Sequence, residues 1–153
     1  MSEVTLELVH AKQNELAQMI ATLTAGAATA AVHIAIPAID IELRPGEHYA
    51  GAVLDEDGDI VHHLVLMAAK PAKSLNWQAA TDWAASVGGE LPTRQEQALL
   101  FANCKPHLEP EWHWSSETNG ASYAWLCYFG LGGQLYGSRG YEGSAVAVRR
   151  LTA

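Results

Sequence analysis

Residues Gly88–Glu117, GGELPTRQEQALLFANCKPHLEPEWHWSSE, join the chemistry of a helix start to an aromatic strand within thirty positions. The Thr93 hydroxyl is placed to accept the Glu96 backbone N–H, while the Glu96 carboxylate reaches back to the Thr93 N–H. This reciprocal pattern is a capping box and makes Thr93 a helix N-cap. Pro92 disfavours helix at Leu91, so the chain arrives extended and turns into a helix running to about Asn103. Ala98, Leu99, Phe101 and Ala102 supply an apolar stripe, and Pro106 stops the helix. After a loop, Trp112–Ser116 alternates large apolar with polar side chains, as a half-buried strand does.

Working outward, Asn76 reads as the N-cap of an earlier helix reaching Val87, with Trp77, Ala80, Ala84 and Val87 on one face and Gly88-Gly89 ending it. Before it, Tyr49–Leu54 and Ile60–Met67 are β-rich runs separated by DEDGD. The Asp57-Gly58 pair suits the positive φ of a hairpin turn. Beyond Tyr123 the pattern is strand and turn: Ala124–Phe129, Gln134–Tyr136, a glycine-punctuated loop through Gly143, and a last strand Ala145–Leu151.

The first forty residues have another character. Val9, Leu16 and Leu23 recur every seven, with Ile20 between the last two, so residues 4–23 form an amphipathic helix. Its stripe is buried either on the chain's own domain or in a seam with another copy of the chain. Val32–Leu43 alternates as a strand does, although Pro37 confines such a strand to an edge or splits it. A net charge of −8 argues against nucleic-acid backbones and anionic lipid surfaces as direct partners. No apolar run approaches the roughly 20 residues that cross a bilayer, and the N-terminus lacks the order of a secretion signal. The expected location is the cytoplasm of a host cell, or a virion.

Leu91-Pro92-Thr93 with Glu96, then Trp114-Ser115-Ser116-Glu117, Ala124-Trp125 and Val146-Ala147-Val148-Arg149-Arg150 together resemble the successive motifs of the Lcl C-terminal domain family. That family, found in bacterial and phage proteins, is similar to the C-type-lectin-like fold. The resemblance covers about Asn76–Leu151, and the hairpin from Tyr49. Two departures stand out: Gly89-Glu90 occupies the place of a Trp-Arg pair, and the serine motif lacks a threonine. The resemblance implies paired terminal strands, two helices and a small twisted sheet, a scaffold that mostly binds sugars, proteins or cell receptors.

Candidate chemistry is weak by comparison. Asp55, Asp57 and Asp59 present alternating carboxylates as calcium sites do, but without the bidentate glutamate at the expected offset. Glu109-Pro110-Glu111 is similar to the calcium loop of sugar-binding lectins, with its asparagine replaced. Seven histidines show no His-x-x-x-His spacing, and His62 and His63 point to opposite faces of one strand. Cys104, His107 and Glu109 are neighbours in sequence, yet Cys104 and Cys127 read best as reduced core thiols. Tyrosine and arginine in the glycine-rich loop are the mixture enriched at recognition hot spots.

The expectation is therefore an α+β chain with two parts: an N-terminal helix and strand arm (1–43) for oligomerisation or attachment, and a C-type-lectin-like domain (44–153) with two helices and a small, mostly antiparallel sheet. The function expected is that of a non-enzymatic, phage or prophage type binding module for a protein or cell-surface ligand. Its contacts are placed in glycine- and aromatic-rich loops, at Trp112, His113, Tyr136, Arg139, Tyr141 and Glu142. No catalytic residue, metal or cofactor is expected, and self-association is assigned to residues 4–23. The alternative is a small acidic phage protein, anti-CRISPR-like, that masks the basic nucleic-acid-binding surface of a host defence complex.

Overall fold

A computed structural model describes residues 4–152. The chain divides into two compact units, Met1–Ala38 and Ile39–Ala153. In the first, α1 runs Leu6–Thr29, with the Thr5 side chain accepting the Leu8 N–H as its cap. Every side chain from Val4 to Thr24 is exposed. The strand expected over Val32–Leu43 is not there: residues 30–43 have no regular structure. Alternating isoleucines suit a strand only if a neighbour takes the backbone N–H and C=O groups, and among the described residues no strand pairs with this segment.

The second unit is α+β, built from two three-stranded antiparallel sheets where the sequence suggested one. β1 (His48–Leu54) and β2 (Ile60–Leu66) form the hairpin, and β6 (Val148–Thr152) returns to pair with β2 from the far end of the chain. The β1–β2 turn follows the reading of its residues. Asp55 Oδ1 accepts both the Asp57 and Asp59 N–H groups at 2.9 Å, and Gly58 takes φ +86°. Between hairpin and β6 come α2 (Trp77–Ser86), α3 (Arg94–Cys104) and the second sheet: β3 (Trp112–Asn119), β4 (Tyr123–Tyr128) and β5 (Gly133–Ser138). A short 3-10 turn, Lys105–His107, follows α3. The last strand is shorter than its apolar run suggests, because Ala145–Ala147 are buried before the β2 ladder begins at Val148.

Asn76 and Thr93 are the N-caps, and Thr93 with Glu96 makes the full capping box. Of the expected α3 stripe, Leu99 and Phe101 pack partly buried against the core, but Ala98 and Ala102 do not. Glu96, Gln97, Leu100 and Cys104 are the buried residues; Ala98 and Ala102 are exposed. Buried carboxylates persist only when paired, and Glu96 is paired with His62 and Arg150.

β3 is likewise buried on both faces over His113–Ser115, not half-buried. One apolar cluster holds Leu64, Leu66, Leu100, Cys104, Cys127, Phe129 and Val148. The other gathers Ala80, Ala84, Leu91, Trp114, Ala124, Leu126 and Ala147. The ring of His113 packs on Phe129 of the first cluster, and neighbouring Trp114 belongs to the second. The second sheet is thus the wall between two cores, which fixes what its free edge presents.

Candidate functional site

The β4–β5 register sets Trp125 opposite Tyr136 and Tyr123 opposite Ser138. Residues two apart on a strand share a face, so Tyr123 and Trp125 lie side by side. The Tyr136 ring stands edge-on to both, with centroids 5.4 Å from Trp125 and 5.8 Å from Tyr123. Arg94, the first residue of α3, lays its guanidinium 3.5 Å from the Trp125 ring centroid. A cation–π contact of this kind contributes about 0.5–1 kcal/mol where it is exposed.

Arg94 is held in turn by Gln134 of β5. Arg94 Nε donates to Gln134 Oε1 at 3.0 Å, and Gln134 Nε2 donates back to the Arg94 carbonyl at 2.7 Å. The Arg94 backbone N–H is taken by the Glu117 carboxylate. The result is a row Arg94–Trp125–Tyr136–Tyr123 whose far end is open: Tyr136 is 52% exposed and Tyr123 46%.

Of this row only Tyr136 is on β5, the rim strand of its sheet, paired with β4 on one side; Tyr123 and Trp125 are on β4 and Arg94 on α3. The edge strand of the first sheet is treated differently. Asn103 and Gln95 of α3 donate their side-chain amides to the Ala50 and Leu54 carbonyls of β1. Edge strands are usually blunted by such contacts or by charge, and the β5 run GQLYGS has no charged residue.

The residues picked out from sequence are spread along this unit. Tyr136 is in β5, not in a loop. Arg139 is half-buried and structurally engaged: Nη2 donates to the Gly120 carbonyl at 2.7 Å, and the guanidinium lies 4.8 Å over Trp77. Tyr141, exposed, meets the Trp114 ring edge at 6.2 Å, and Glu142 is exposed beside it. Trp112 packs on Tyr128, and His113 is 2% exposed and so sits inside the wall. Arg94, Tyr123 and Trp125 were missed. The spacing of Tyr123 and Trp125 is a signal for a shared strand face; Arg94, thirty positions away, carries none.

A polar cleft lies elsewhere on the same unit. Hollows of about 310 and 360 Å³ share Lys70, Glu109 and Val146 in their linings, and Lys70 bonds Glu109 at 3.3 Å. His113 Nδ1 donates to the Glu111 carbonyl at 2.8 Å, and burial pushes its pKa down, which keeps the ring neutral. The Ser144 hydroxyl donates to the Glu111 carboxylate, and His48 stacks on His107 at 3.4 Å. Nucleophilic chemistry needs a hydroxyl or thiol within reach of a base. Here Ser144 meets that condition only with the Glu111 carboxylate. Cys104 and Cys127 are free and buried, burial raising both thiols, Cys127 to about 11. Among the described residues there is no group of three or more His, Cys, Asp or Glu fit to hold a metal ion, and no helix is long and apolar enough to cross a membrane.

No protein-family model matches the chain, and no curated protein matches it either.

Proposed function

We propose that the second unit is a non-catalytic binding module of C-type-lectin-like architecture, akin to the Lcl C-terminal domains of phage and bacterial proteins. It recognises a protein or cell-surface ligand through the rim of β5. The observation that carries this reading is the Trp125 ring of the central strand β4, fixed between Arg94 and Tyr136 of β5, whose outer edge has no strand partner among the described residues and whose run GQLYGS has no charge. Rigid aromatic side chains with arginine give large contact area at small entropic cost.

The architecture supports the same reading. Strand β6 closes back onto the opening hairpin, two helices lie between, and a separate three-stranded sheet follows. The motif residues act as keystones: Trp114 Nε1 donates to the Leu75 carbonyl, Glu117 N–H to Ser115 Oγ, and Arg150 to Glu96. The connections within the second sheet are tight turns, so strand faces, more than long loops, are the surface on offer.

The test is binding of fluorescently labelled protein to intact cells of a bacterial panel and to glycan and protein arrays. Tyr123→Ala with Tyr136→Ala, both exposed, should reduce retention at least tenfold while the melting temperature holds. Equal retention by the double variant, or none by the wild type on any surface, refutes the reading.

A second reading has one observation in its favour. Asp55, Glu56, Asp57 and Asp59 are all exposed at the tip of the β1–β2 hairpin, as suits an acidic inhibitor that covers a basic, nucleic-acid-binding surface of a host defence complex. Binding of that kind weakens steeply between low and high salt, whereas an aromatic contact does not.

A further inference from the structure

We infer that α1 pairs with the α1 of a second copy of this chain in a parallel, two-stranded coiled coil. The pairing does not depend on what the second unit binds. Leu6, Val9, Gln13, Leu16, Ile20 and Leu23 follow one another at alternating steps of three and four, the 3.5-residue period of a coiled-coil seam. Leu6, Leu16, Ile20 and Leu23 are 71, 57, 56 and 72% exposed. An isolated helix of this length is marginal in water without tertiary packing, so the stripe needs a cover.

A second copy fits for three reasons. It presents the same period by identity, so that knobs of one helix meet holes of the other along the whole seam. Charge does not oppose the meeting: from Val4 to Leu23 the helix carries only Glu7, Lys12 and Glu15, and Lys12 already bonds Glu15 at 3.2 Å, although the whole chain is at −8. The core identities also select an arrangement. With Leu6, Gln13 and Ile20 at a and Val9, Leu16 and Leu23 at d, Ile20 with Leu23 favours two strands and Leu6 with Val9 has the reverse pattern; the polar Gln13 at a adds to the choice of a single register.

Gln13 sets the direction. In a parallel pair its amide meets the partner's Gln13 amide and both are satisfied. In an antiparallel pair it faces the Leu16 region, and a buried amide without a partner costs about 1–3 kcal/mol. The pairing would present two β5 rims on one particle, and on the binding reading above that raises avidity by linkage.

Light scattering on the full chain at about 100 µM is the test. The expected mass is about 33 kDa, twice the 16.4 kDa of one chain, falling to one chain on dilution or in Leu16→Glu with Ile20→Glu. Gln18→Glu, on the opposite face, should leave the mass unchanged, and circular dichroism with a thermal melt should show the second unit folded in every variant. A wild type of one chain at that concentration, or a double variant that keeps the mass of two, overturns the proposal. Paramagnetic or fluorescent labels at residue 24, near the end of the seam, should approach closely in the parallel pair; a separation of roughly 28 Å along the axis, as an antiparallel pair would give, overturns the parallel arrangement.

Discussion

Arg150, on the last strand, grips both carboxylate oxygens of Glu96, in the first turn of α3: Nε lies 2.8 Å from Oε2 and Nη2 2.7 Å from Oε1. Glu96 is wholly buried, and the same carboxylate accepts the Thr93 N–H and meets His62 Nε2 at 2.9 Å. One side chain therefore fastens the α3 cap, strand β2 and strand β6 together.

Glu96→Gln keeps the shape and removes the charge, which leaves the Arg150 guanidinium with only the exposed Glu90 carboxylate as its counter-ion. Breaking a buried pair from one side costs about 3–5 kcal/mol. Thr93→Ala removes only the reciprocal cap, a loss of about 1 kcal/mol. Urea unfolding should rank the two in that order, and equal midpoints would show that the Glu96 network does no more than cap the helix.

The same residue marks where sequence reading stops. The capping box is an i, i+3 relation and was legible; the partners His62 and Arg150 are 34 and 54 residues away and were not. An ion pair turned inward also reverses the hydropathic pattern, which is why Ala98 and Ala102 looked like core while Glu96 and Gln97 occupy it. The row on β5 was half legible. Tyr136 stood out, but Arg94 and Trp125 join it only through the β4–β5 register and the place where α3 starts. Val32–Leu43 was misread because alternation describes a strand's faces and says nothing of a neighbour.

Glu47 and Arg149 make a second tie, between the segment entering β1 and strand β6. Arg149 Nη2 lies 2.7 Å from the Glu47 carboxylate and also donates to the Glu42 carbonyl. The hydrogen bond from Arg149 holds the Glu47 carboxyl below its ordinary pKa, against the opposite pull of burial. A carboxyl whose pKa is lower folded than unfolded stabilises the fold above its unfolded value, about 4.3, and ceases to do so as pH falls through the folded value. Glu47→Gln should thus cost about 1.5–3 kcal/mol at pH 7, and its gap from wild type should close as melts are repeated toward pH 3. A gap that is constant with pH would mean that the tie is not ionic.

Cys104 and Cys127 should be inert in the folded protein. Both are buried, and burial pushes the Cys127 thiol to about 11, which suppresses the reactive thiolate at neutral pH. Iodoacetamide at pH 7.5 should label neither thiol on a timescale that labels both fully in urea. Fast labelling of either one without denaturant would place it at the surface and revive the case for a working thiol.

Gly88 and Gly89, which end α2, fail for different reasons when substituted. Gly88 has φ +82° and open space around the position of a Cβ, so Gly88→Ala pays only for the left-handed backbone, about 1–2 kcal/mol. Gly89 needs no unusual φ, but a Cβ there would stand 2.9 Å from the Val148 carbonyl oxygen and 2.5 Å from Met67 Sδ. The thioether can swing aside; the carbonyl cannot, since Glu90 and Val148 exchange backbone hydrogen bonds in both directions. Gly89→Ala must therefore strain the Glu90–Val148 bridge on the edge of β6 away from β2, at about 1–3 kcal/mol or more. Hydrogen exchange separates the two: Gly89→Ala should speed exchange at the Glu90 and Val148 amides, whereas Gly88→Ala should lower global stability and leave the ranking of those two amides intact. Identical exchange patterns in the two variants would remove the close approach of Gly89 to β6 as the reason this position needs glycine.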